Sequence, residues 1–137
     1  MKNLVLLALI MFIIPFKGIS QINVVVEISE LSSNDGHLLL ELNDENKETI
    51  GAFSEKITNN KSYVVLKDLK PGKYAFKYFH DANDDEKLNT NFLGMPREGF
   101  GFSNNAKGTF GIPSFDKMVF EVTKSDTLRC IPTYMGK

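Results

Sequence analysis

The feature that most constrains this chain is strict two-residue alternation of apolar side chains. In "INVVVEI", Ile22, Val24, Val26 and Ile28 fall on one face, with Asn23 and Glu27 on the other. Successive side chains of a β-strand point to opposite faces, so this pattern predicts a strand with one buried side. "HLLLELN" repeats it with Leu38, Leu40 and Leu42. "SYVVLKDL" and "KYAFKYF" flank the turn "KPG", in which Pro71 sets φ and Gly72 supplies the bend. Asp35-Gly36 closes the turn "SSNDG". "ETIGAFSEKI" predicts a short strand bulged around Gly51, and "KMVFEVT" one that turns Met118, Phe120 and Val122 inward. "TLRCIPTYM" closes the domain, with Leu128 and Cys130 on its apolar face and Pro132 confining it to an edge or breaking it. No twelve-residue stretch carries the 3.6-residue period of a helix. Seven short strands with closely spaced turns predict an all-β, two-sheet sandwich.

The amino terminus follows a different rule. Lys2 precedes an apolar run from Leu4 to Phe16, and Gly18 and Ser20 stand at the spacing read by a signal peptidase. The run is shorter than the roughly 20 residues that span a bilayer. We therefore expect residues 1–20 to be a signal peptide, cleaved before Gln21, and the protein to be exported, periplasmic or secreted. No cysteine follows the run to carry a lipid. Residues 21–137 suffice for one sandwich domain. Lys and Arg total 16 against 17 Asp and Glu, a formal charge of −1 with no basic cluster, which argues against a nucleic-acid partner. Cys130 is the only cysteine, so the domain has no internal disulfide and must be held by packing, or by packing and an ion. No later segment is apolar enough to cross a membrane.

The sequence loses its alternation between Phe79 and Asp116, which predicts one long irregular loop over 80–115. Its first half, "HDANDDEKLNTN", places Asp81, Asn83 and Asp85 at positions 1, 3 and 5 of an EF-hand-like register, with Lys87 at 7 and Asn89 at 9. Alternate residues of a curled loop point inward. Short oxygen-bearing side chains and the Lys87 carbonyl would then meet a hard cation such as Ca²⁺. Leu88 would anchor the loop to the core, and Glu98 could act as a late ligand. Glu86 replaces the usual turn glycine at position 6, and Phe92 replaces the closing glutamate at position 12. Affinity should accordingly lie in the roughly 10⁻⁴–10⁻³ M range of extracellular modules. The same residues also fit a solvated Asx-turn loop without a metal.

The second half, "GMPREGFGFSNNAKGTFGIPSF", mixes five glycines with Phe100, Phe102, Phe110 and Phe115. "GFGFSN" has Asn104 where a dinucleotide fingerprint needs its third glycine, and no helical pattern follows. We expect the phenylalanines to dock on the sandwich while the glycines permit tight bends. The alternative is a platform that holds a peptide, glycan or partner protein. His80 could pair with Asp81 or Glu98 as acid and base, and His37 has no evident partner. No Ser or Cys stands in a nucleophile motif, so the expectation is a non-enzymatic module. Cys130 reads as a small buried hydrophobe.

The stretch "LKPGKYAFKYFHDANDDEKLNTNFLGMPREGFGFSNNAKGTFGIPSF", residues 69–115, closely resembles the bacterial exported proteins grouped as domain of unknown function family 2141, and most of the mature chain does so in outline. Their pattern runs "PG-Y-A", "HD-N-N/D-x-K-L-D/N", "G-P-x-E-G-x-G-F-S-N" and "F-G-x-P-x-F". The resemblance implies an envelope or secreted location, an Ig-like or prealbumin-like β-sandwich, and no particular activity. Where that family often has Gly and Asp, this chain carries Glu86 and Asn89.

Overall fold

The alternating segments form eight strands in the computed structural model, which describes Gly18 and residues 21–135. The expected signal peptide lies outside the described residues apart from Gly18. The strands are β1 (Ile22–Ile28), β2 (His37–Asp44), β3 (Thr49–Lys56), β4 (Ser62–Leu69), β5 (Gly72–Asp81), β6 (Phe100–Phe102), β7 (Phe120–Val122) and β8 (Asp126–Cys130). One sheet has the order β4-β1-β8, with β1 antiparallel to β4 and parallel to β8. The other has the order β3-β2-β5-β6, and β7 pairs with the beginning of β5. The ten-residue β5 thus carries two short strands end to end along one edge, β7 against Gly72–Tyr74 and β6 against Lys77–Phe79.

The two sheets close on one core. Val24, Val26 and Ile28 of β1 and Val64 and Leu66 of β4 face Leu38, Leu40 and Leu42 of β2 and Phe76 of β5. Phe76 meets Phe120 edge-on at 5.6 Å between ring centroids, tying β7 to the same core. Cys130 is buried here, and burial pushes its thiol pKa up, as its alternation predicts. β8 stops at Cys130, before Pro132, and forms an edge of its sheet.

Three expectations need correction. Among the described residues the strands number eight, because the long segment 80–115 contains β6. Phe100-Gly101-Phe102 is too short to show alternation, and its side of the sheet is set by the partner strand: the ring of Tyr78 lies across Gly101, where a Cβ would come within 2.3 Å of the hydroxyl. The strand of "KMVFEVT" begins at Phe120. Phe115–Met118 is instead one helical turn, α1, and Asn104 Nδ2 donates to the carbonyls of Lys117, Met118 and Val119 to end it. β3 is a full eight-residue strand; its bulge is real and falls at Ile50, between the pairs Leu42–Gly51 and Asn43–Thr49.

Candidate functional site

The acidic loop leaves the end of β5, which is paired on both sides, with β2 along one and with β6 and β7 along the other. His37 pairs with Asp81 across β2 and β5, and the turn before β2 presses on the same point. Gly36 has φ +67, and a Cβ there would lie 1.8 Å from the Asp81 carbonyl oxygen. Only glycine fits both constraints, so the "DG" turn sets where the loop begins.

Asp81 is buried and folds the loop over itself. Its Oδ1 accepts the N–H of Asp85 at 3.2 Å and its Oδ2 the N–H of Glu86 at 2.8 Å. Asp84 and Glu86 take left-handed conformations, φ 55 and 60. Glu86 thereby adopts the turn that position 6 of such a loop requires, although it is not glycine, at a cost of about 1 kcal/mol. Asp84 Oδ1 lies 2.6 Å from His37 Nδ1, so His37 has a partner that the sequence does not reveal.

Beyond this turn four oxygens converge on one point. Asn89 Nδ2, with two N–H groups to share among them, lies 3.0 Å from Asp85 Oδ2, 3.4 Å from Asn83 Oδ1, and 3.5 Å from both the Lys87 carbonyl and Glu98 Oε2. Asn83, Asp85 and Lys87 are positions 3, 5 and 7 of the predicted register. Glu98 arrives from the returning segment, held by N–H donors from Ala82 to its Oε1 at 3.2 Å and from Asn89 to its Oε2 at 3.0 Å. Phe92, at position 12 of the register, points into solvent, and the second carboxylate near Asn89 is that of Glu98. The Asn89 amide holds the Asp85 carboxyl below its ordinary pKa; the Lys87 and Asn83 bonds act in the same direction. Among the described residues no three His, Cys, Asp or Glu side chains gather as a metal cluster. The convergence is a mixed set of carboxylate, amide and main-chain oxygens, the donor chemistry of hard cations.

The other predicted residues fall elsewhere. Leu88 does not anchor the loop in the core but lies exposed beside Phe100 and Ile112. His80 is buried, with Nε2 against the Asp35 carbonyl at 2.8 Å and Nδ1 against the Tyr134 hydroxyl at 3.2 Å; neither nitrogen bonds Asp81 or Glu98. The phenylalanines divide. Phe102 is buried and Phe100 packs edge-on to it, Phe115 lies beneath Lys47, and Phe110 is wholly exposed.

"FSNN", which lacks the glycine of a nucleotide motif, is a brace. Ser103 Oγ accepts from Phe76 N–H at 3.0 Å and donates to the Met118 carbonyl at 2.6 Å. Asn105 links to β8 through the Arg129 carbonyl and the Ile131 N–H. The signal available in the sequence was the run of small hydrogen-bonding residues directly after an apolar pair.

Fold and loop together define a two-sheet β-sandwich with a braced acidic turn at one end. Residues 26–129 match the family model described as "Uncharacterized protein conserved in bacteria (DUF2141)", and the chain belongs to that family. No curated protein matches the chain.

Proposed function

We propose that the protein is an exported, non-enzymatic binding module whose loop 81–98 takes up one calcium ion. The ion is held by Asn83, Asp85, the Lys87 carbonyl and Glu98, on a turn built by Asp81. The observation that supports this reading most is the focus of four oxygens on the Asn89 amide nitrogen. In the ion-free loop that N–H₂ group offsets the repulsion between Asp85 and Glu98. A cation at the same point replaces the amide, and Asn89 then rotates to offer its oxygen or leaves the shell. Few carboxylates and the need to displace the amide place the affinity near the millimolar range. The bound ion would tie Glu98 to the turn and so order the glycine- and phenylalanine-rich segment that follows.

Direct calcium titration by calorimetry tests the reading. One site per chain is expected, with Asp85→Asn/Glu98→Gln losing all measurable heat while its circular dichroism stays native. Equal heats from wild type and variant would refute it.

A further inference from the structure

The chain changes sheets after β8. Pro132 has no N–H for the ladder, and the Ile131 N–H goes to Asn105 Oδ1, so β8 ends at Cys130. Thr133 crosses to the second sheet and exchanges both backbone hydrogen bonds with Phe100, at 3.0 and 2.7 Å. This bridge sets the next residue, Tyr134, over Gly99. A Cβ on Gly99 would lie 2.3 Å from Cζ of the Tyr134 ring, so the ring rests directly on the backbone beside Glu98. The φ of Gly99 is not positive; its missing side chain serves the close approach of the ring.

The hydroxyl of Tyr134 is tied as well, and each hydrogen around it has one place. The Ser32 N–H, which can only donate, meets Tyr134 Oη at 2.8 Å. The Asp35 carbonyl can only accept, so His80 Nε2, 2.8 Å away, carries the hydrogen of the neutral imidazole. Nδ1 of the same ring is then an acceptor, and the Tyr134 O–H donates to it across 3.2 Å. The backbone N–H of His80 in turn donates to the Gly99 carbonyl at 2.7 Å. Tyr134 thus joins three segments at one point: the connection that leads to the Asp35-Gly36 turn, the end of β5, and the segment that returns with Glu98. Glu98 is held between two fixed neighbours, with Arg97 bonded to the Asn89 carbonyl on one side and Gly99 under the ring on the other.

We infer that Tyr134 is a positioning residue: its ring, pinned through its hydroxyl to Ser32 and His80, clamps Gly99 and thereby fixes where the Glu98 carboxylate stands. The clamp acts in the ion-free protein. That it also sets the affinity for calcium rests on the function proposed above.

The amide proton resonances of Ala82 and Asn89, the two backbone donors to Glu98, read the clamp in chelator. Tyr134→Leu removes ring and hydroxyl and should move both resonances upfield while those of β1 stay in place. Tyr134→Phe keeps the ring on Gly99 and should move them less, although the His80 ring nitrogens lose their hydroxyl partner. Gly99→Ala pushes the ring off from the other side and should move the same two amides. Combined with Tyr134→Leu it should do no more than either change alone, because both act on one contact. Calcium titration should follow the same order, with affinity about tenfold weaker in Tyr134→Leu, as for the loss of a residue that orients a metal ligand. Unmoved Ala82 and Asn89 resonances in Tyr134→Leu, additive effects in the pair, or a wild-type calcium affinity in Tyr134→Leu would overturn the inference. Should Tyr134→Leu not fold, the Gly99→Ala resonances decide alone. A wild type that takes up no calcium, with the amide shifts as expected, would refute the calcium reading and still support the clamp.

Discussion

Asn89 decides the electrostatics of the loop. Its amide sits between Asp85 and Glu98, and its bond to Asp85 is the main cause of that carboxyl's lowered pKa. A carboxyl whose pKa is lower folded than unfolded stabilises the fold above its unfolded value and loses that contribution as pH falls through the folded value. The contribution of Asp85 to the loop should therefore be complete above the ordinary aspartate value of 3.8 and be lost as pH falls below it. Carbon-detected NMR titration of Asp85 checks this, and Asn89→Ala should move its midpoint upward. Asn89→Asp has the opposite logic: in chelator a third carboxylate repels Asp85 and Glu98 and lowers stability. With calcium it adds a charged ligand, and affinity should rise on the order of tenfold. Calorimetry on both forms reads the two effects. The sequence displays Asp81, Asn83, Asp85, Lys87 and Asn89 through their spacing alone. It does not display that Asp81 spends both oxygens on the backbone, and it offers Glu98 as a late ligand without showing that Asn89 is the residue it faces. Spacing records neighbours along a curled loop; the return of a distant segment depends on hydrogen bonds such as Arg97 N–H to the Asn89 carbonyl at 2.8 Å.

At the scale of elements, the strands that bury one clean face were legible, and those set by a partner were not. β1, β2 and β4 announce themselves through period-two burial, and β5 keeps the pattern at Tyr74, Phe76, Tyr78 and His80 while also burying Ala75 and Asp81. β6 has three residues and a central glycine, so only its pairing with β5 makes it a strand. α1 ends because Ser103 and Asn104, remote in sequence, satisfy its carbonyls. The junction of β2 and β5 carries the strongest local constraint, at Gly36. Gly36→Ala forces a Cβ against the Asp81 carbonyl at positive φ. It should destabilise the domain by about 2 kcal/mol or more in urea unfolding. Because Asp81 opens the loop, the same substitution should also weaken calcium binding, which a change confined to a remote turn would not.

The whole molecule couples one end of a sandwich to a single loop system. The core is continuous between the two sheets and does not include residues 82–98, so an ion taken up by the loop would leave the core's packing in place. Binding that favours only the folded form adds RT ln(1 + [Ca²⁺]/Kd), about 1.4 kcal/mol at ten times Kd. For a domain of this size that corresponds to a melting shift of roughly 3–6 °C. Magnesium should add little, because its near-octahedral demand is poorly met by a flexible set containing two carboxylates. The decisive measurement is thermal unfolding of the wild type and of Asp85→Asn/Glu98→Gln in chelator, in magnesium and in several-fold excess calcium. A calcium-specific rise of a few degrees in the wild type, absent from the variant, is the predicted result. A wild-type melting temperature that calcium leaves unchanged would contradict the account and make the loop a solvated turn held by its own hydrogen bonds.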